Sequence, residues 1–316
     1  MNPILTDRKG SVSEIGESAL IARIKAALGE ATPPTPRGMG DDCAVVEPRA
    51  NLITCDSVVH MKHFDDEADP ELVGAKLLKR NLSDIAAMGG VPCDAVVALF
   101  APPLLSAEWV ERFAKGLAKC ALDYSVAIVG GDVAECPTLA ASLTLTGRAR
   151  RPLTRGTANA GDILCVTGPL GGSIRGHHLT FTPRLEQGLF LSMNGAITAC
   201  MDLSDGLAKD APALAGESLA AVLDIADIPP SQEALELTEG DPEKLAQSVL
   251  CDGEDYELLF AVRAEGIDAF EDDWIARFGA PFFRIGRLAA RGDGPGLIDS
   301  ATGKAPANAH GYEHLR

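Results

Sequence analysis

The sequence lacks the patterns of several common protein classes. No apolar run approaches the roughly 20 residues of a membrane span, and the N-terminus lacks the basic and then apolar order of a signal peptide. The eight cysteines include no C-x-x-C pair, which argues against a zinc site and against a disulfide framework. We therefore expect a soluble, globular, cytoplasmic protein whose cysteines are reduced and mostly buried.

Positive charge is also scarce. The chain has 28 basic and 45 acidic residues, a net charge of −17, and this balance disfavours nucleic acid and anionic membranes as partners. An acidic protein can still bind a polyphosphate when metal cations lie between the two sets of negative charge. The charge alone does not separate that possibility from simple solubility.

The familiar nucleotide and hydrolase signatures are missing too. The chain contains no G-x-x-x-x-G-K-[ST] loop, no G-x-G-x-x-G fingerprint and no G-x-S-x-G elbow, so a P-loop or Rossmann site is disfavoured. If the protein handles ATP, it does so through metals and an unusual fold. A length of 316 residues with 46% hydrophobic residues predicts two domains, each with its own core.

The stretch NLSDIAAMGG carries the first candidate residue, Asp84. Asp69 as N-cap and Pro70 as first residue predict a helix that ends at the pair Gly89-Gly90. Residues 74, 78, 82 and 85 form its apolar face, and Lys76, Arg80 and Asp84 lie roughly opposite. Taken alone, Asp84 could equally be a solvated surface residue. A second, shorter amphipathic helix is predicted over residues 11–28.

A recurrent pattern places aspartates where apolar strands end. The predicted strands are residues 52–54, 125–129 and 196–201, and they lead into Asp56, Asp132 and Asp202 respectively. A single aspartate of this kind is ordinary turn chemistry. Ligands gather where strand carboxyl ends meet, and oxygen donors without a His or Cys pattern suit magnesium. The repetition therefore favours a multi-metal phosphate site.

Seven motifs, in this order, resemble the thiamine-monophosphate kinase family, in the superfamily of aminoimidazole ribonucleotide synthetase. They are GMGDDCAVV, LITCDSVVHMKHF, NLSDIAAMGG, IVGGD, LTRGTANAGDILCVTG, MDLSDGLAKD and DGEDYELLF. The resemblance implies an α/β (α+β) fold of two domains, each a mixed sheet with packed helices. Residues 1–150 would form the ATP- and metal-binding and dimerisation domain, and residues 151–316 would complete the nucleotide and substrate site.

The resemblance also implies the activity and the site residues. ATP and thiamine monophosphate would give thiamine diphosphate and ADP by direct in-line transfer with magnesium, in a homodimer. Asp84, Asp132 and Arg155 would be catalytic. The implied magnesium ligands are Asp42, Thr54, Cys55, Asp56, Asp84, Asp132, Asp202 and Asp205. The implied ATP contacts are Gly131, Asp132, Arg155 and Ser204, and the implied thiamine-phosphate contacts are His63, Glu254 and Tyr312. Arg155 could instead be a linker charge, Tyr312 a core aromatic and His63 a loop histidine.

The chain departs from the family pattern at several positions. Cys55 replaces the usual Thr or Ser before a metal-binding Asp, Asp252 replaces the first Gly of a GGED motif, and Ala309 replaces a frequent aromatic. The segment 168–188 is shorter than usual, and its Arg175, His177 and His178 have no obvious counterpart. Two other readings stay open, namely another ATP-dependent enzyme of the superfamily and a non-catalytic metal-binding module. For Cys55 we expect only the backbone carbonyl to face a metal, because Asp56 alternates to the other face of the strand.

Overall fold

The computed structural model describes residues 2–15, 17–33 and 50–312. The predicted strand in GMGDDCAVV, and with it Asp42, lies outside these residues. The chain divides into two compact units, Met1–Ile85 with Val91–Ala149, and Ala86–Gly90 with Arg150–Arg316. Each unit is a mixed sheet with packed helices, which confirms the predicted fold class. The segment Ala86–Gly90 groups with the second unit, whereas the sequence prediction kept all of 1–150 together.

The first unit contains a four-stranded sheet in the order β1-β4-β2-β3. The strands are β1 (Leu52–Val59), β2 (Val91–Ala101), β3 (Ala127–Glu135) and β4 (Ala140–Arg148). Strand β4 is antiparallel to both β1 and β2, and β2 is parallel to β3. Strands β1, β2 and β3 therefore run in the same direction.

The predicted strand ends were wrong in this sheet. Strand β1 continues to Val59 and β3 continues to Glu135, so Asp56 and Asp132 lie inside strands. The cause is tertiary pairing, because β1 keeps an unbroken register with β4 from Leu52↔Gly147 to Val59↔Ala140. Neighbouring strands supply backbone partners beyond the point where the apolar sequence stops.

The helices of the first unit are α1 (Val12–Ile15), α2 (Glu17–Leu28), α3 (Pro70–Ala87) and α4 (Ala107–Asp123). The helix predicted over 11–28 is helical over Val12–Ile15 and Glu17–Leu28, on either side of residue 16, which lies outside the described residues. The prediction for α3 is confirmed, since the N–H of Glu71 donates to the Asp69 carboxylate at 2.8 Å. The helix ends just before Gly89, which has a left-handed φ of +64°.

The burial of the residues of α3 agrees only in part with the prediction. Leu78, Leu82 and Ile85 are buried as expected. Lys76, on the face predicted to be polar, is also fully buried. Lys76 in the polar stripe of α3 is therefore covered by protein, whereas Arg80 and Asp84 in the same stripe are half-buried.

The second unit contains a six-stranded sheet in the order β10-β7-β9-β5-β8-β6. Its strands are β5 (Ile163–Val166), β6 (Ile197–Asp202), β7 (Leu219–Leu223), β8 (Leu258–Val262), β9 (Phe283–Ala290) and β10 (Leu297–Asp299). Its helices are α5 (His177–Thr180), α6 (Leu185–Met193), α7 (Leu207–Ala215), α8 (Gln232–Thr238), α9 (Pro242–Cys251) and α10 (Ile267–Phe278). Every residue of β7 and β8 is buried, because apolar clusters cover both faces of this sheet.

The cysteines agree with the sequence prediction as far as they are described. All seven described cysteines are free thiols, and Cys93, Cys120, Cys165 and Cys200 are buried. Burial raises the pKa of Cys120 to about 12, so this thiol stays protonated at neutral pH. Among the described residues, no helix is long and apolar enough to cross a membrane.

Candidate active site

The polar stripe of α3 faces strand β1 of the first unit. The Thr54 hydroxyl donates to the Asp84 carboxylate. One helical turn earlier, the Arg80 guanidinium lies 3.1 Å from the Asp56 carboxylate, and Asn81 accepts the Asp56 N–H at 3.1 Å. Thr54 and Asp56 are two residues apart in a strand, so their side chains share a face. The structure thus brings together Thr54, Asp56 and Asp84, three of the predicted magnesium ligands.

His63 follows β1 and is held from two sides. The Val59 N–H donates to His63 Nδ1 at 3.0 Å, so a neutral ring carries its proton on Nε2. The buried Lys76 ammonium donates to the His63 carbonyl at 3.0 Å. These contacts fix the position and the tautomer of a residue predicted to bind thiamine phosphate. Lys76 and Arg80 were not among the predicted site residues, and their i, i+4, i+8 spacing with Asp84 was the signal that could have identified them.

Cys55 and Asp132 lie on the other face of this sheet. Cys55 Sγ is 3.3 Å from Ser142 Oγ. Asp132 pairs with Ala98, and Ala98 pairs with Ser142, which places Asp132 on the Cys55 face. Within the first unit, the sheet therefore separates both side chains from Asp56. For Cys55 this is the alternation that the sequence predicts.

Gly131, a predicted ATP contact, pairs with Val97 in the neighbouring strand. A Cβ atom on Gly131 would lie 2.2 Å from the Val97 carbonyl oxygen. Real side chains do not approach a backbone oxygen so closely, so only glycine fits there. The close approach of two backbones explains one glycine of IVGGD without reference to a ligand.

The predicted ligands have the chemistry that magnesium requires, although the described residues do not form a complete metal site. Thr54, Asp56, Asp84, Asp202 and Asp205 offer oxygen donors, which suit a hard cation. Within 2–15, 17–33 and 50–312, no group of three or more His, Cys, Asp or Glu side chains is arranged to hold a metal. Asp42, the remaining predicted ligand that precedes β1, lies outside these ranges.

In the second unit, the predicted residues gather around the turn between β6 and α7. Asp202 lies at the end of β6, as predicted, and it is buried. The carboxylate of Asp210 accepts the N–H groups of Ser204 and Asp205, each at 3.1 Å. Burial raises the pKa of Asp210 to about 6, against the lowering effect of the Asp205 N–H and of the nearby Arg155 charge. Ser204, a predicted ATP contact, and Asp205, a predicted metal ligand, are thus held in one turn by Asp210.

The C-terminal segment joins the same turn. The Tyr312 N–H donates to the Asp205 carbonyl at 2.8 Å. The Lys209 ammonium bonds to the Asp205 carboxylate and to the Tyr312 carbonyl, the latter at 2.9 Å. A Cβ atom on Gly311 would lie 2.5 Å from the Asp205 carbonyl oxygen, so glycine is needed beside Tyr312. A predicted substrate contact is therefore tied to a predicted metal ligand.

Glu254, the predicted substrate contact in the DGED segment, is bonded to the same turn. Its N–H donates to the Ser204 carbonyl at 2.8 Å. A Cβ atom on Gly253 would lie 2.7 Å from that same oxygen. The DGED segment therefore passes directly against Ser204. Lys209 and Asp210 were not predicted as site residues, yet both lie in the quoted motif MDLSDGLAKD.

The shortened segment 168–188 is fastened to the DGED segment. The Gly171 N–H donates to Asp255 at 2.9 Å, and the Gly172 N–H donates to Asp252 at 2.8 Å. Of the three residues without a family counterpart, Arg175 is exposed. His177 Nε2 lies 3.2 Å from the Asp255 carbonyl, and His178 Nδ1 lies 2.8 Å from the Ser173 carbonyl. Both histidines therefore have structural hydrogen bonds within the second unit.

Comparison with known proteins gives a consistent result. Residues 40–149 match the family model for AIR synthase related protein, N-terminal domain. The thiamine-monophosphate kinase of Rhodopirellula baltica is 34% identical over 80% of this chain and 84% of its own length. The crystal structure of thiamine-monophosphate kinase from Stenotrophomonas maltophilia K279a gives a TM-score of 0.74 at 31% identity and covers 92% of this chain and 98% of its own.

A third relative carries ligands. A solved structure described as AaThiL complexed with AMPPCP and TMP gives a TM-score of 0.73 at 29% identity, and it covers 96% of this chain and 98% of its own. The resemblance drawn from the seven motifs is confirmed, and the chain belongs to the thiamine-monophosphate kinase family.

Proposed function

We propose that this protein transfers the γ-phosphoryl group of ATP to thiamine monophosphate, which yields thiamine diphosphate and ADP in the last step of thiamine diphosphate biosynthesis. The observation that carries the proposal is the turn after β6. Asp205 of that turn is bonded to Tyr312, and Ser204 is bonded to Glu254. Residues proposed for metal, ATP and thiamine phosphate are thus joined by direct hydrogen bonds in a chain of this family.

The residues suit a reaction that needs positioning more than a base. The nucleophile is a phosphate monoester, whose second pKa near 6 makes it largely dianionic at pH 7. In-line transfer then requires that two polyanions be held together against their repulsion. We assign the Arg155 guanidinium to the transferring phosphoryl group, where a fixed positive charge stabilises the transition state.

We assign magnesium to the aspartates, because their donor atoms are all oxygen. The residues that would hold magnesium ions are Asp42, Thr54, the Cys55 carbonyl, Asp56, Asp84, Asp132, Asp202 and Asp205. Asp132, on the sheet face opposite to Asp56, would bind a different ion from Asp56. When bound, the ion neutralises phosphate charge and orients the transferring group. In the first unit, the Arg80 guanidinium and the Thr54 hydroxyl keep the Asp56 and Asp84 carboxylates in fixed orientations.

We assign ATP and metal binding mainly to the first unit, and completion of the nucleotide and substrate site to the second. Gly131 and Ser204 are the further ATP contacts, and His63, Glu254 and Tyr312 are the acceptor contacts. His63 offers an Nε2–H donor that suits a phosphate oxygen, because its Nδ1 accepts the Val59 N–H. A cytoplasmic location completes this proposal.

A homodimer through the first unit is part of the same proposal. Three large apolar residues are exposed on the sheet face that carries Cys55. The exposed fraction is 75% for Ile53, 39% for Val96 and 36% for Phe100. Exposed apolar side chains of this size on one sheet face suit association with a second copy. Sedimentation equilibrium of the wild type and of Phe100→Arg tests this point, with Leu122→Arg as a control because Leu122 is also exposed, on α4. A wild-type monomer would refute it.

The decisive experiment for the activity is a direct product assay. The protein is incubated with ATP, magnesium and thiamine monophosphate, and the products are identified by mass. Thiamine diphosphate and ADP in equal amounts are expected. ADP formed only with a different acceptor would indicate another enzyme of the superfamily, and magnesium binding without any ADP would indicate a non-catalytic module.

A further inference from the structure

Two residues of the DGEDYE segment adopt an uncommon backbone conformation. Glu254 has a φ of +64° and Tyr256 a φ of +53°. Residues other than glycine adopt this left-handed conformation at a cost in free energy, and they keep it only when surrounding contacts hold them there. Here the Glu254 N–H donates to the Ser204 carbonyl and the Tyr256 N–H to the Leu203 carbonyl, each at 2.8 Å. The turn after β6 thus imposes the conformation of both residues.

The Tyr256 side chain reaches back to Glu254. Its hydroxyl donates to Glu254 Oε1 at 3.1 Å. A hydrogen bond to a charged carboxylate is among the stronger kinds in proteins. Tyr256 itself is only 2% exposed, so its ring offers a fixed point from which the hydroxyl holds the carboxylate.

The ring of Tyr256 is fixed by the shortened segment 168–188. The Phe181 ring stacks on it with a centroid distance of 3.9 Å and an interplanar angle of 17°. Phe181 is itself buried. Three residues later, Arg184 Nε donates to the buried Glu257 carboxylate at 2.8 Å. The segment is therefore anchored on both sides of Phe181, because Gly171 and Gly172 are held by Asp255 and Asp252.

We propose that Tyr256 is a positioning residue that sets acceptor affinity by holding the Glu254 carboxylate in its binding orientation. The inference rests on the proposed function, in which Glu254 contacts thiamine monophosphate. A carboxylate suits this acceptor, whose thiamine part carries a positive charge and an amino group. Without the hydroxyl, the Glu254 side chain must be ordered when the acceptor binds, and that ordering reduces affinity.

The conservative variant is Tyr256→Phe, since phenylalanine keeps the ring, the stacking on Phe181 and the backbone conformation. We expect the KM for thiamine monophosphate to rise about 10- to 100-fold, on the order of a lost hydrogen bond to a charged group. The kcat and the KM for ATP should stay within about twofold of wild type. Tyr124→Phe, which removes a tyrosine hydroxyl in the first unit, is the matched control and should leave all three values unchanged.

A double-mutant cycle separates positioning from a general structural effect. Wild type, Tyr256→Phe, Glu254→Ala and the double variant are compared by the KM for thiamine monophosphate and by calorimetric binding of that ligand. If Tyr256 acts through Glu254, then Tyr256→Phe should change the affinity of the Glu254→Ala protein by less than about twofold. Phe181→Leu should raise the same KM in the wild-type background, because it removes the stacked ring.

The outcomes are distinct. An equal effect of Tyr256→Phe with and without the Glu254 carboxylate would overturn the inference, and so would a parallel rise in the KM for ATP. If wild type neither binds nor phosphorylates thiamine monophosphate, the proposed function and the inference fall together. If wild type is active and the cycle shows no coupling, only the inference falls.

Discussion

The Asp252 carboxylate accepts the N–H of Gly172, which lies 80 positions earlier in the chain, at 2.8 Å. Asp252 stands where the family pattern has glycine, and Gly172 lies in the segment that is shorter than usual. The two departures meet in space. The side chain that a glycine would lack supplies an acceptor for a backbone donor of the shortened segment.

The first prediction concerns this contact. Asp252→Gly removes the acceptor for the Gly172 N–H and for the Ser248 hydroxyl, and a buried donor without a partner costs about 1–3 kcal/mol. We expect the free energy of unfolding to fall by that amount in urea titrations. Asp252→Asn keeps one acceptor oxygen and should lose less. Equal stability of Asp252→Gly and wild type would show that the contact does not compensate for the shorter segment.

The contact also shows where sequence reasoning reaches its limit. Asp69 and Pro70 predicted the start of α3 correctly because helix capping depends on neighbouring residues. Asp202 was placed correctly because the apolar run of β6 ends there. Partners distant in sequence carry no local signal. The contacts between Asp252 and Gly172, and between Tyr256 and Phe181, could therefore not be predicted.

The strands illustrate the same limit. The alternation of side chains along β1 predicted correctly that Cys55 and Asp56 face opposite ways. It did not predict that β1 and β3 continue past their aspartates, because the strand length depends on the pairing with β4 and β2. Asp132 consequently lies on the sheet face opposite to Asp56, a separation that the expected strand ends did not indicate.

The second prediction concerns Asp84. Asp84→Asn keeps the side-chain volume and an oxygen that can accept from the Thr54 hydroxyl, but it removes the charge that would hold magnesium. We expect kcat at saturating magnesium to fall by at least about 100-fold, the scale of losing one electrostatic contact to the transition state. The melting temperature should change little. Asp123→Asn, an exposed residue at the end of α4, is the control. A wild-type kcat would make Asp84 a structural partner of Thr54 only.

The third prediction concerns Cys55. Its thiol points to Ser142, away from the face that holds Asp56 and Asp84. A serine can make the same hydrogen bond. Cys55→Ser should therefore change the transition-state free energy that kcat/KM measures by less than about 1 kcal/mol. The preference for magnesium over manganese or cadmium should not change, because a thiolate ligand would favour softer ions. A large loss of magnesium-dependent activity at unchanged thermal stability would instead assign a direct role to the side chain.

The fourth prediction concerns the pH dependence of stability through Asp255. This carboxyl group is buried, and its Oδ1 accepts the Gly171 N–H. Its Oδ2 has no hydrogen-bond partner. Burial raises the pKa of Asp255 well above its usual value of 3.8, and the neighbouring carboxylates of Asp252, Glu257 and Asp210 raise it further. The Gly171 N–H opposes these effects only in part.

The sign follows from linkage. Well below pH 3.8 the group is protonated in the folded and the unfolded chain alike, so it contributes no pH dependence there. As the pH rises, the unfolded chain loses this proton first, and the folded state is progressively destabilised until the pH exceeds the folded pKa. Asp255→Asn removes the titration. The stability of wild type relative to this variant should therefore be lower at pH 8 than at pH 5 in urea titrations with a chelator present. Asp273→Asn, at an exposed position, is the control and should show no such trend. If the difference in stability between wild type and Asp255→Asn were independent of pH, the buried carboxyl group would not titrate differently in the folded chain.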